Sequence, residues 1–312
     1  MLQSEKLITI GESLHASIAR CGEAMQMVLN SSDHQSLEYI KSLVTIQADA
    51  GADFIEVNVD RFAETTPRTA EDMMRKYVAM VANYGKSIAV CVDSSSDELL
   101  IAGLEASYRT GCDKKPLINS IKPGNADRLM PLAAKMPFSF VALLMTQQTA
   151  NPVEHLVSQA DEIFDKAISA GFTPQDIYFD TCAFPLSIDM PMTPGDKGRT
   201  FAAFEAIKAI KNNQKFDGTH CSLGVSNCAR DLPARRTGVI KAYLAKAMEY
   251  GLDAAIIDVR RDWFTTKPEP QLYELVSAFA AIDGSPEKLT AAMTLMTAFC
   301  QECRDAVSRD AK

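Results

Sequence analysis

Seven short apolar runs of the chain end on carboxylates, carboxamides or hydroxyls. They close with Gly11-Glu12-Ser13, with Glu56 and Asn58, with Asp93, with Asn119-Ser120, with Asp180, with Ser226-Asn227 and with Asp258. Asp, Asn and Ser in such places are commonly turn formers or helix caps, so any one of them alone carries little. The set carries more. Asp93 stands three residues before Ser96, which is itself placed to cap the next helix. Asp180 precedes a long loop, Thr181 to Lys197, with no helix near enough to cap. Loops of that length in a compact domain are usually functional. Glu56 and Asn58 lie two apart in an extended run and so share a face. Two Asp and two Asn around one pocket suit a flat, nitrogen-rich ring. A carboxylate accepts two hydrogen bonds from an amidine-like N–H/NH₂ edge, and a carboxamide both donates and accepts. A phosphate would call for glycine-rich backbone and cations instead.

These residues need a scaffold that brings eight run ends together. Candidate strands begin at Leu7, Asp53, Ser87, Pro116, Phe138, Asp176, His220 and Asp253, with a helical pattern after each. Strict strand–helix alternation argues for a parallel sheet, and eight repeats for a closed (β/α)₈ TIM barrel, α/β in class. In such a barrel the C-terminal strand ends converge on the active site. The helices carry their own signals. Asn151-Pro152 supplies a cap and a first-turn proline, Gly171 a stop, and Leu156, Ile163, Phe164 and Ile168 one apolar face. Ser96 with Asp97 and Glu98 starts another helix, with Leu100, Leu104 and Tyr108 along one face. Gly85, Gly111 and Gly251 stand where further helices should stop. No internal repeat or interdomain linker interrupts the pattern. A single domain is expected, with the barrel over about residues 7–284 and a C-terminal helical extension over 285–312.

The 312 residues are 47% hydrophobic, enough for a full core, and carry 40 acidic against 32 basic residues. A net charge of −8 gives no electrostatic footprint for nucleic acid or an anionic membrane. No run approaches the 18 apolar residues of a membrane span, and the N-terminus lacks a basic start followed by an apolar stretch. A cytoplasmic location follows, with the eight scattered cysteines as reduced thiols. Cys300-x-x-Cys303 is a lone pair and a weak zinc signal, so no metal site is expected. His220-Cys221, at the start of a strand, reads as core. His15 lies in the first βα loop, within reach of a ligand or partner, and reads by default as an ordinary loop histidine; Arg236 reads as solvated, and Met145-Thr146 as a strand end close to the pocket.

The runs GADFIEVNV, VCVDSSS, PLINS, IYFD and LGVSN, in this order and spacing, resemble the pterin-binding barrel superfamily. That superfamily contains dihydropteroate synthase, the folate module of cobalamin-dependent methionine synthase, and methyltetrahydrofolate:corrinoid methyltransferase. The runs are most similar to the last, from Gly11 to about Val259. The resemblance implies that Asp93, Asn119 and Asp180 hold the pterin ring and that Asn227 lies near N5, the nitrogen carrying the methyl group. Gly224, Ser226 and Arg235 match further folate-site positions, and Glu12 sits in the segment after the family's first strand. Dihydropteroate synthases usually carry Ser-Arg-Lys after strand seven; here the run is Ser226-Asn227-Cys228. The Asp-x-His-x-x-Gly motif of corrinoid-binding modules is missing too, so the corrinoid would reside on a separate protein.

The implied reaction moves a methyl group between N5 of tetrahydrofolate and the cobalt of that partner's cobalamin, with 5-methyltetrahydrofolate as substrate. A neutral tertiary amine leaves poorly, so hydrogen bonding or protonation at N5 must assist. Asn227 donates but is no acid; the proton comes from water or through Asp93, and the sequence leaves that open. Three rivals remain: dihydropteroate synthase, a zinc-dependent methyltransferase barrel, and a folate-binding barrel that transfers nothing. Relatives of this type are commonly homodimers, which the resemblance implies here.

Overall fold

A computed structural model describes residues 7–31, 33–63, 66–111, 113–145 and 151–310. Eight parallel strands close into a barrel in sequence order: β1 (Ile8–His15), β2 (Phe54–Asn58), β3 (Ala89–Asp93), β4 (Leu117–Ile121), β5 (Ser139–Leu143), β6 (Ile177–Asp180), β7 (His220–Gly224) and β8 (Ala254–Ile257). β1 pairs with β8 from Ile8↔Ala254 to Gly11↔Ile257, which completes the ring. The expected α/β barrel is the observed one, with the additional helix Pro286–Asp310 at its C-terminus.

Alternation along the strands divides the apolar side chains in two. Ile10, Cys91, Leu117, Val141, Tyr178, Ala254 and Ile256 fill the barrel interior. Leu14, Ile55, Val57, Val90 and Val92 join the larger layer between sheet and helices. The interior is thus a packed plug that gives the polar strand ends a floor. At the N-terminal end His220 stacks on Tyr178 (centroids 4.6 Å apart), and its Nδ1 lies 3.0 Å from Asp253 Oδ2, which also accepts from Lys211 Nζ at 2.7 Å. His220 is therefore structural, far from the polar mouth.

Two bulges shape the other end. Pairing of β1 with β2 runs Gly11↔Ile55 and then Leu14↔Val57, so β1 carries one extra residue at Glu12-Ser13. A bulge strands a backbone N–H and re-aims side chains. The Ser13 N–H donates to Oε1 of Gln47 at 3.0 Å, and Gln47 is fully buried on the helix His34–Asp49. A Cβ on Gly11 would stand 2.4 Å from that oxygen, so the plug requires glycine there. In β4, Asn119 pairs with Val141 and Ile121 with Ala142, leaving Ser120 extra; the Asn119–Ser120 peptide is cis.

The helical signals hold in position in most units, although Ser96 and Asn151, at the N-caps of their helices, make no side-chain cap hydrogen bond. Leu156, Ile163 and Phe164 are buried on helix Pro152–Ser169, while Ile168, in its last turn, is exposed. Leu100 and Leu104 are buried on helix Asp97–Arg109; Tyr108 is exposed and donates to the Pro137 carbonyl at 2.6 Å. The fourth unit departs from the pattern: β4 is followed by a four-residue helix, Ala126–Leu129, and a 3₁₀ stretch, Met130–Ala134. Pro131 has no N–H to continue the α-ladder there. The long loop after β6 is tied back at Asp189, whose carboxylate accepts the N–H groups of Arg199 (2.7 Å) and Thr200 (2.8 Å). It thereby caps helix Arg199–Lys211 from ten residues upstream, against the positive end of the helix dipole.

Close helix–strand contact fixes the end of β3, which carries Asp93. A Cβ on Gly103 would lie 2.4 Å from Cγ1 of Val92, whereas one on Gly124 meets nothing within 4 Å. Gly103→Ala is expected to cost roughly 1–3 kcal/mol by overpacking, read as a lower urea midpoint at unchanged m-value. Gly124→Ala serves as the control and should change stability by no more than ~0.5 kcal/mol. Equal midpoints for wild type and Gly103→Ala would contradict this packing.

Candidate active site at the C-terminal mouth of the barrel

The strand ends open into a cavity of ≈ 820 Å³. Glu12, Asp93, Asn119, Asp180, Gly224, Ser226 and Asn227 all line it, seven of the eight residues singled out from the sequence. Arg235 does not. It adopts left-handed φ (53°) ahead of helix Arg236–Glu249 and pairs with Glu269 and with Glu302 of the C-terminal helix (3.2 Å). There it clamps that helix to the barrel. Asp258, which also ends a strand, is taken up by Arg260 through two contacts of 2.7 and 3.0 Å.

Each cavity group has a definite setting. Asp93 Oδ2 accepts from Asn58 Nδ2 at 2.8 Å, and Asn58 Oδ1 accepts the Asp60 N–H at 3.0 Å. Asp60 in turn receives the Ser94 hydroxyl and the Ser95 N–H, so the end of β2 is laced to the loop after β3. Among the described residues, Asp180 accepts the Cys182 N–H alone, at 2.7 Å. Ser226 donates to Glu12 Oε2 at 2.8 Å, joining β1 to the 3₁₀ turn Val225–Ala229 after β7. In that turn Asn227 Nδ2 sits where a Cβ on Gly224 would approach within 3.0 Å, so glycine leaves the amide its room. The side chains of Asn119 and Asn227 make no hydrogen bond with other described residues, which leaves both carboxamides open to a ligand.

Two cavity groups were not assigned a role from the sequence. β1 extends past its bulge, so His15 is not a loop residue; it ends the strand, lines the cavity, and holds Nε2 4.0 Å from Asp93 Oδ2. Glu56 is 2% exposed and lines the cavity between Glu12 and Asp93. The shared face of Glu56 and Asn58 pointed to it, whereas the one-residue bulge that turns His15 inward has no periodic signature. Met145 is exposed, and its backbone N–H and C=O bond the Gln159 side chain at 3.0 and 2.8 Å; Thr146 lies outside the described residues.

Electrostatically the mouth is a desolvated cluster of acids. Burial raises Asp180 to about 7. Burial also raises Asp93 to about 7, although the Asn58 hydrogen bond opposes it. Glu56 is pushed well above the carboxylate range by burial and by Asp93 and Glu12, and Glu12 is raised by burial. Burial lowers His15, keeping its imidazole neutral. Arg230 is the one Lys or Arg among the described lining residues. Such a cavity accepts hydrogen bonds readily and repels anions.

Raised carboxyl pKa values link stability to pH. The native state keeps protons that the unfolded chain releases above about 4, so this stabilisation is full at low pH and is lost as pH rises through about 7. The ligand-free Tm should therefore fall between pH 5.5 and 8.5, and fall less in Asp180→Asn. An identical slope in that variant, measured by calorimetry, would contradict the assigned burial cost.

Residues 27–258 match the family model described as pterin binding enzyme, well over half of the chain. Among solved structures, the chain is similar to a dihydropteroate synthase of Yersinia pestis with a pterine-sulfa conjugate. Identity is 14% and the TM-score 0.52, over 88% of this chain and 92% of that one. It is also similar to a dihydropteroate synthase of Coxiella burnetii in complex with pteroic acid, at 12% identity and a TM-score of 0.54, over 91% and 96% of the two chains. At such identities the likeness concerns the fold; the family rests on the sequence model. On that match, the chain belongs to the pterin binding enzyme family.

Proposed function

We propose that this chain is a methyltransferase that moves a methyl group between N5 of tetrahydrofolate and the cobalt of a corrinoid carried by a separate protein. The observation that carries the reading is the acid-lined cavity with two open carboxamides. Asp93 and Asp180 suit the N–H/NH₂ edges of a pterin, which would restore their ionised state by donating hydrogen bonds. Asn119 suits a mixed edge. Asn227, just after β7 and with a side chain that bonds no other described residue, suits a nitrogen whose protonation changes during reaction, because its amide can present either end.

The residues after β7 favour methyl transfer over dihydropteroate synthesis. A diphosphate leaving group needs cations, and in place of Ser-Arg-Lys stand Ser226, Asn227 and the fully buried Cys228. Among the described residues, five carboxyls, Asp231 included, line the cavity against one cation, Arg230, a lining poor in the cations a diphosphate needs. The cobalt must reach N5 from outside, since a pterin on the barrel floor leaves the mouth as the way in. Ile18 and Ile188 line that mouth and are exposed, as are Met190 and Met192 in the same loop as Ile188. Such apolar exposure suits a protein partner.

In this mechanism Co(I) is the nucleophile, and the enzyme's task is the leaving amine. A donor positioned at N5 is worth about 10²–10⁴-fold. Asn227→Ala should lower single-turnover transfer from 5-methyltetrahydrofolate to cob(I)alamin by ~10²-fold or more, with a far smaller change in folate Kd. Equal losses in rate and affinity would remove Asn227 from the chemical step. Formation of dihydropteroate from its pterin diphosphate, with no methyl transfer, would replace this reading by the synthase.

A further inference from the structure

His15, Glu56 and Asp93 bring one ring nitrogen and two carboxylates within 4.8 Å of one another, the composition of a cation site. The hydrogen bonding of His15 points elsewhere. Its Nδ1 accepts the Ser17 N–H at 3.1 Å, so in the neutral ring the hydrogen sits on Nε2. That is the atom facing Asp93, and it presents a donor where a metal needs a lone pair. The cluster is arranged to hold a proton.

The position of that proton follows from the donors. Asp93 receives the Asn58 amide at 2.8 Å and faces the His15 Nε2–H at 4.0 Å, so its charged form has support that Glu56 lacks. Glu56 is almost wholly buried, no hydrogen-bond donor among the described residues reaches its carboxyl, and a carboxylate oxygen lies within 4.8 Å of one on Asp93. Two carboxyl groups can share a hydrogen bond only if one is protonated. Asp93 has donors of its own and Glu56 has none, so the proton resides on Glu56. The groups around Glu56 agree: Glu12 on β1, Cys91 and Asp93 on β3, with no Lys or Arg of the described residues bonded to it. Ionising Glu56 would place a second negative charge, without a donor of its own, beside Asp93.

We propose that Glu56 is held as a neutral carboxylic acid in the free enzyme and supplies the proton that N5 takes up when its methyl group leaves. This rests on the methyl-transfer reading above. The Co(I) lone pair forms the C–Co bond, giving methyl-Co(III). The C–N pair stays on N5, which takes the Glu56 proton, and Glu56 becomes a carboxylate. His15 and Asp93 are both partly exposed at the mouth, through which solvent restores the proton. In the opposite direction the N5–H of tetrahydrofolate returns its proton to Glu56.

Two measurements separate the parts of this proposal. Infrared difference spectra of wild type against Glu56→Gln at pH 7 should show the C=O stretch of a protonated carboxylic acid, absent in the variant. No such band overturns the assignment whatever the enzyme does. In single turnover with cob(I)alamin, Glu56→Gln should bind 5-methyltetrahydrofolate nearly as wild type, which also verifies its folding. It should transfer methyl about 10²–10⁴-fold more slowly, as expected for a lost acid, and lose the pH dependence of the rate; Glu56→Asp, which keeps an acid, should recover much of the rate. An undiminished Glu56→Gln rate overturns the donor role. A wild type that binds folate and transfers nothing overturns the methyl-transfer reading and the donor step with it, while the infrared band still decides where the proton resides.

Discussion

The whole site depends on the cost of desolvating carboxylates. Glu12, Glu56, Asp93 and Asp180 converge on one cavity where burial, more than any partner, sets their protonation. A protein under selection for stability alone would not gather these acids against a single lining cation. Their cost is recovered only by a ligand rich in N–H donors, or by protons kept on some of them. Site chemistry and fold stability are thus coupled through the same groups.

The barrel meets this demand by irregularity at the strand ends. The extra residue in β1 turns Glu12 and His15 toward the cavity, and buried Gln47 accepts the N–H the bulge would orphan. The extra residue in β4 does similar work beside Asn119. Below them Ile10, Leu117, Val141 and Tyr178 form an unyielding floor. Above them the loop after β6 is anchored by Asp189 on a helix N-terminus, so a long irregular segment can wall the cavity. Rigid floor, bulged rim and tethered wall divide the labour of holding polar groups out of water.

Much of this was legible in the sequence because it is periodic. Strand–helix alternation and the polar residue closing each run placed Asp93, Asn119, Asp180 and Asn227 at one end of a barrel, and they line one cavity. What escaped is aperiodic or long-range. His15 looked like a loop residue because a bulge has no period. Glu56 carried a facing signal but no chemistry until Asp93 stood beside it across the sheet. Arg235 matched a folate-site position, yet its partners Glu269 and Glu302 lie 34 and 67 residues away, beyond any local pattern. The short fourth helix follows from Pro131, a single missing N–H that the overall strand–helix alternation masks.

The account's central claim is that this cavity is a pterin site in which buried acids await N–H donors. Calorimetric titration with 5-methyltetrahydrofolate, repeated on Asp180→Asn, tests it most directly. The account predicts saturable binding near one per chain, with a Kd raised in the variant because an acid that accepts from the ring has been replaced. Heats indistinguishable from dilution for the wild type would contradict it and leave a pterin-family barrel whose ligand is something else.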